Sequence, residues 1–445
     1  MKLNKDDCVF FLLEQAMSLG ADAGDAVFAQ DATTAVTIRL GKPERIERTE
    51  SRHIGLRAFV GNQSASAASS DLRPDALRAL AERVVAMARV TPPDAATGIA
   101  AASELGIPVE GLDLADPDSL TAEHLSALAK NAENAALAVK GVNNSDGADA
   151  HHSRSFSRII STSGLDYVSS HTSSGLSVSV LAGNGTAMER DYEFSSAVYA
   201  NDLMNAAALG TKAGYNTVQR LNPRRIVTGT YPVLFSPRVA SSLLRSLLSA
   251  INGSTIVRGT SFLKDKLNAS IFAPSITIVE DPHRRRGHRS RPLDAEGLAT
   301  IKTTIIHNGV LTTWLLDRYT ANRLNTHSNG HASRGVNGAP NPSASNVYIE
   351  PGTNSESALC ASVPEAFYVT DLMGMGVNLV TGDYSQGASG FWLRNGERAF
   401  PVSEVTIAGH LNTIFANLIA ADNLEFRTGI DSPTLLVPAM TIAGD

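Results

Sequence analysis

Eleven histidines are the chain's main stock of side chains that could bind a metal or move protons near neutral pH. None lies in HExxH, the helical spacing that aims two imidazoles at one zinc ion with a glutamate as base. His327 and His331 in "NTHSNGHASRG" are four apart, but Asn329 and Gly330 put them on a loop, where that spacing aligns nothing. His151 and His152 are adjacent in a polar stretch read as a loop; on a strand they would face opposite ways. His283, His288 and His410 stand alone. Nucleophile motifs are missing too: there is no GxSxG elbow, and neither Cys8 nor Cys360 has a catalytic context. No glycine run completes GxGxxG or a Walker loop, since "MGMGVN" at 373–378 lacks the third glycine and a following helix.

One stretch is unusual, "GDYSQGASGFWLRNGERAFPVSEVTIAG" at 382–409. Gly382, Gly387 and Gly390 surround Asp383, Tyr384 and Ser385, and the aromatic pair Phe391-Trp392 is expected to be exposed just before a hairpin. Small residues let a second backbone approach, so a strand here could pair with an extended peptide by edge addition. The competing reading is a glycine-rich bulge that only shapes the core.

The elements that must position these residues follow from periodicity. Residues 5–19 carry apolar side chains at helical spacing, "DAVFAQ" and "TAVTIRLG" alternate as strands, and "HIGLRAFVG" and "SASAAS" continue them. A helix at 73–90 closes this unit. Four prolines between 91 and 118 mark a surface connection. A helix from about 125 to 139 follows, then Ser/Thr-rich strands expected to form a second, meandering sheet at 153–200, and another helix that "NPRR" at 222–225 ends. The C-terminal half supplies strand after strand, with Asn308-Gly309 and Asn395-Gly396 as hairpin turns. The fold class is therefore α+β: α/β layers of helices and meandering strands over 1–225, with subregions about 1–90 and 118–225, and a mostly antiparallel β domain with flanking helices over 226–445.

Composition narrows the function classes. Basic and acidic residues, 38 and 44, are well mixed and leave a net charge of −6, so no broad cationic field awaits nucleic acid. The one cationic run, "HRRRGHRSR" at 283–291, is expected to be a solvated loop, with docking of an acidic partner or phosphate as the alternative. Two distant cysteines form no disulfide framework and fit a reducing cytoplasm. No cleavable leader and no membrane span is expected.

The "GDYSQGASGFWLRNGE" stretch, with "FPVSEVTIAG" after it and "VTDLMGMGVN" before it, closely resembles the C-terminal motif of TldD/PmbA proteins. "GNGTAMERDYEFS" at 183–195, "LNPRRIVTGTYPVLFSP" at 221–237, "NGSTIVRGTSFLKDKLN" at 252–268, "PLDAEG" at 292–297 and "IIHNGVLTTWLLDRYTANRLN" at 305–325 resemble the PmbA, or TldE, branch in the same order. The resemblance covers nearly the whole chain. In the TldD branch the helix after "YPVLFS" carries HExxxH, whose histidines hold zinc with glutamate as general base. Laid on this chain, the motif falls on Arg245, Ser246 and Ala250 of "SSLLRSLLSA", none of which can do that work. The TldD branch also supplies a cysteine ligand near the C-terminus, where "GIDSPTLL" here has Asp431 and Ser432.

The resemblance implies a subunit without catalytic residues or metal of its own, paired with a TldD-like metallopeptidase that holds the zinc, and acting on extended peptides in the cytoplasm. Homodimers in the partner's absence are possible. Asp383, Tyr384, Ser385, Ser389, Gly390 and Phe391 are the residues expected nearest to peptide or partner. Two other readings stay open: an independent enzyme with a metal set drawn from His283, His288, His327 and His331, and a peptide-binding or regulatory protein without a protease partner.

Overall fold

The computed structural model describes residues 5–374 and 376–445, so Met375 of "MGMGVN" lies outside the described residues. The chain starts with helix α1 (Lys5–Ser18) and three strands, β1 (Ala23–Arg39), β2 (Lys42–Val60) and β3 (Gln63–Ser69), then α2 (Pro74–Val90). After the proline-rich connection come α3 (Ala122–Leu137), β4 (Val142–Ser161), β5 (Asp166–Ala182), β6 (Glu189–Ala197) and α4 (Ala206–Gln219).

The expected two sheets are one. β1 pairs with β2 on one side and β4 on the other, giving a single six-stranded antiparallel sheet in the order β3-β2-β1-β4-β5-β6. The short strand runs read from sequence fuse, because β1 continues unbroken through "DATT" and β2 through "TESR". His151 and His152 lie on β4 rather than in a loop, and His152 Nδ1 pairs with Ser174 Oγ at 2.9 Å.

Period-two alternation divides the sheet's faces. Ala26, Phe28, Ile54, Leu56 and Ile160 pack under α1 and α2; Val36, Ile38, Ala148, Ala150 and Val178 pack under α3 and α4. Both sets occupy even positions of β1, so the two helix pairs cover the two ends of one face. Burying such side chains contributes roughly 1.5–3 kcal/mol each for the larger ones. The odd positions, including Val27, Ala29, Ser155, Ser157, Ile159, Tyr167 and Ser169, turn to the C-terminal half.

That half is built on β7 (Gly229–Phe235), α5 (Pro237–Ala250), β8 (Glu365–Met373), β9 (Asp383–Arg394), β10 (Glu397–His410) and β11 (Leu435–Ala443). β7 pairs in parallel with β8, β8 with β9, β9 with β10, β10 with β11, and β11 back with β7. The sheet therefore closes on itself, which removes its edges. Leucines 243, 244 and 247 of α5 join Val233, Phe235, Phe367 and Val369 in the largest core cluster. A second, smaller sheet contains the hairpin at Asn308-Gly309, whose φ values of 47° and 84° are those of a type I′ turn. Asn395-Gly396, with 50° and 83°, turns β9 into β10 in the same way. Among the described residues no helix is long and apolar enough to cross a membrane.

The two halves are joined by buried charge. Asp25 on β1 accepts hydrogen bonds from Arg57 of β2 and from Arg334 of the C-terminal half, and all three side chains are buried. Nearby, Glu296 accepts from the Arg318 backbone N–H at 2.9 Å, yet burial pushes its carboxyl up to about 7. A raised folded value means that stability is present below the unfolded value and lost as pH rises to the folded one. Glu296→Gln keeps the acceptor without the charge. It is expected to raise stability by on the order of 1–3 kcal/mol at about pH 8 and by little at about pH 5, measured by thermal melting. An equal gain at both pH values would refute this account.

Candidate functional site

Between the odd face of the N-terminal sheet and residues 288–295, 332–336 and 343–344 lies a cavity of about 520 Å³. Its sheet wall mixes Ser155, Ser157, Ser169 and Ser170 with Val27, Ile159 and Tyr167, and Ser157 Oγ and Ser169 Oγ stand 2.8 Å apart. Its opposite wall is cationic, with Arg289, Arg291 and Arg334. The size is within the range of ordinary ligand sites, about 300–1,000 Å³.

The cationic wall is the end of "HRRRGHRSR", a loop that is only partly solvated: Arg285 and Arg289 are exposed, yet most of its side chains have partners. Arg284 stacks on Phe426 at 3.3 Å, Arg285 and Arg286 pair with Asp113, and Arg286 also reaches Asp202 at 3.0 Å. His288 Nε2 donates to the Ser196 carbonyl. Arg289 donates to the carbonyls of Ala344 and Ser345, and Arg291 to that of Ser343. Burial lowers the pKa of Arg289, and the charges of Arg291 and Arg245 lower it further. Arg289 and Arg291 are thus neighbouring guanidinium groups held by backbone carbonyls, while Arg334 is neutralised by Asp25; with Asp294 also on this wall, the donors suit carbonyl-rich or anionic ligands.

The six residues expected nearest to substrate sit elsewhere. All lie on β9, but none lines this cavity. Asp383 and Ser385 are exposed at its start, where Asp383 Oδ2 accepts from Thr381 Oγ1 at 2.6 Å. Tyr384 is buried in the main core, and burial pushes its phenol up. Ser389 is buried against Arg220, and Gly390 is buried beside Tyr368. Phe391 and Trp392, expected to be exposed, are 6% and 4% accessible because both faces of β9 are covered. Trp392 meets Tyr231 edge-on in the main core, while Phe391 points the other way, into a smaller cluster and a second cavity of about 280 Å³. Edge addition to β9 is closed off as well, since β8 flanks one side, β10 the other, and Gly376 accepts from Ser385 N.

The cavity was missed because its two walls are distant in sequence. The basic run 283–291 was noticed without its counterpart, and the sheet wall was signalled only by the Ser/Thr richness of β4 and β5, whose even positions mostly meet helices while odd positions face the cavity.

Three models of one family match in sequence. A "PmbA/TldA metallopeptidase domain 1" covers residues 24–88, a "central domain" 115–221 and a "C-terminal domain" 228–444. Metalloprotease PmbA of Escherichia coli is 34% identical over 442 residues, 97% of this chain and 96% of that protein. The chain belongs to the PmbA/TldD family. The PmbA homologue of Haemophilus influenzae is 35% identical, covering 98% and 95%. The crystal structure of TldE from Thermococcus kodakarensis shares the fold with a TM-score of 0.87 at 18% identity, over 98% of this chain and all of that one.

A metallopeptidase family raises the question of a metal. The PmbA/TldD helix that the resemblance points to is α5, and residues 430–431 pack against it, so helix and C-terminal stretch are brought together. The donor set does not fit zinc. Arg245 carries a guanidinium, Ser246 Oγ donates to its own helix at Ser242 O (2.9 Å), and Ala250 is buried in the apolar core. Asp431 is committed to its own loop, accepting from the N–H groups of Arg427, Thr428 and Gly429, and Ser432 Oγ donates to Pro433 O. The histidine alternative is not assembled either. His283 pairs with Thr300, His288 with Ser196, and His331 lies between Asn329 and a buried Glu280, while His327 is exposed. Among the described residues no three His, Cys, Asp or Glu side chains form a group that could hold a metal ion.

Proposed function

We propose that this chain is the non-metal subunit of a TldD/TldE-type heterodimeric metallopeptidase that acts on unfolded or precursor peptides in the cytoplasm. The observation that carries the reading is α5 itself. Helix and C-terminal stretch meet as a metal site of this kind would require, but the positions hold Arg245, Ser246, Ala250 and a backbone-saturated Asp431. Conversion back would be hard, because a histidine at Ala250 would have to enter a filled apolar core. Zinc and general base would then come from a TldD-like partner. This chain's part is to supply walls: the serine-lined face and the Arg289, Arg291 and Arg334 side offer donors and small side chains to an extended peptide's carbonyls and carboxylates. Such enclosure would admit unfolded chains and exclude folded ones.

The test is metal content and activity of each chain apart and together. After dialysis the purified chain is expected to retain well below one equivalent of zinc, and peptide cleavage is expected only from the mixture with a TldD-like chain. One equivalent retained by this chain alone, or cleavage by it alone, would overturn the assignment.

A further inference from the structure

β3 pairs with β2 only from Ile54 to Val60, so the outer edge of β2 from Lys42 to Arg52 is unpaired. The nine residues from Lys42 to Glu50 are all exposed, on both strand faces, and Ile46 in their middle is 56% accessible. An exposed edge with an apolar residue at its centre is a pairing hazard that proteins ordinarily blunt with charges and proline. This edge has Pro43 and six charges, but the charges are balanced in sign, Lys42, Arg45 and Arg48 against Glu44, Glu47 and Glu50.

Their order is informative. About Ile46 the sequence KPERIERTE is a charge palindrome with signs inverted: Arg45 mirrors Glu47, Glu44 mirrors Arg48, and Lys42 mirrors Glu50. In an antiparallel pair related by a two-fold axis normal to the sheet, residues equidistant from the axis stand opposite each other on the same face. Placing the axis at Ile46 therefore sets an opposite charge against every charge from 42 to 50, and Ile46 against Ile46. Pro43, which lacks an N–H, falls opposite Thr49 near either end. Within one chain these charges meet only along the strand or across the hairpin, Arg45 with Glu47 at 3.7 Å, Arg48 with Glu50 at 2.8 Å and Arg39 with Glu44 at 3.8 Å. Such exposed pairs exchange partners readily.

We infer that residues 42–50 of β2 form a self-complementary edge at which a second copy of this chain adds antiparallel, with Ile46 opposite Ile46. The contact joins the two N-terminal sheets into one continuous sheet across the two-fold axis. It does not depend on the metallopeptidase reading.

Sedimentation of the full chain tests it. A reversible dimer, weakened by salt, is expected. Arg45→Glu sets like charges opposite each other in both symmetry-related pairs and is expected to weaken the dimer by about tenfold, while Arg45→Glu combined with Glu47→Arg restores it. Register is read by cross-linking: Ile46→Cys is expected to form a disulfide between copies under mild oxidation, and Thr49→Cys is not. Cys8 and Cys360 are buried and do not compete. All the altered positions are exposed, so folding is not at issue. A chain monomeric at every concentration, an Arg45→Glu dimer as tight as wild type, or equal cross-linking at 46 and 49 would overturn the proposal. So would an edge protected only by a TldD-like chain, which would assign it to that partner.

Discussion

Asp25→Ala is expected to cost about 3–5 kcal/mol, a large share of a domain's stability, because it leaves two buried guanidinium groups without their carboxylate. Arg57 and Arg334 both end on Asp25, and their side chains are 8% and 2% accessible. Burial alone would raise the Asp25 carboxyl, but the charges and hydrogen bonds of Arg57 and Arg334 outweigh it and hold the pKa below the usual range. The sign follows from that depression. The contribution is present above the unfolded carboxylate value and lost as pH falls through the lower folded value. The difference between wild type and Asp25→Ala should therefore be full at neutral pH and shrink only in strong acid. Because Arg334 belongs to the other half of the chain, the variant should also expose that junction to limited proteolysis. An unchanged melting temperature at neutral pH would show that the cluster is not what joins the halves.

Gly390→Val is expected to prevent folding of the C-terminal half, or to cost about 3 kcal/mol or more. A Cβ on Gly390 would stand 2.0 Å from the carbonyl oxygen of Tyr368 and 3.0 Å from Val369 Cα, and both belong to the paired strand β8. The obstruction is backbone, so no side-chain rotation relieves it. The φ angle is outside the left-handed region, so the glycine serves close approach and not a turn. Gly387 in the same strand is the control. Its Cβ would meet Met373 at 3.4 Å, ordinary contact, and Gly387→Ala should melt near wild type. If Gly390→Val melts near wild type as well, the strands β8 and β9 do not close as described.

The two glycines show where sequence reading reached and where it stopped. That "GDYSQGASGFW" needs small residues was legible. Its purpose was not, because the neighbour that demands them is the backbone of a strand brought alongside by the fold. The same holds for Phe391 and Trp392, since alternation places them on opposite faces and cannot say that both faces are covered. Asn308-Gly309 and Asn395-Gly396 announced their hairpins through local chemistry. Leu40-Gly41 makes the β1–β2 turn with Leu40 at φ 51°, a conformation leucine rarely takes, so no signal marked it. Reading "HRRRGHRSR" as a solvated loop held only in part, because its partners, Asp113, Asp202 and the carbonyls at 343–345, are distant in sequence. Family resemblance, by contrast, pointed to α5 directly, and the structure adds that Ala250 and Asp431 are engaged elsewhere.

The pairing of β1 with β4 also sets the order of events during synthesis. Asp25 stands opposite Ser161 and Ile38 opposite Ala148, so the central ladder of the sheet joins segments more than a hundred residues apart. As the chain leaves the ribosome, β1 and β2 can form their hairpin at once. The other edge of β1 then stays open until β4 has emerged, many seconds later at about 5–20 residues per second. Through that interval the nascent chain carries two unsatisfied ladders, one along β1 that β4 later closes and one along 42–52 of β2 that no strand of the same chain closes. Closing the first requires a long loop, which slows folding and lengthens the exposure. A nascent chain halted before Ser161 should therefore be a strong client of chaperones that shield bare strands, and one halted just beyond Ala182, with β4 and β5 in place, should not.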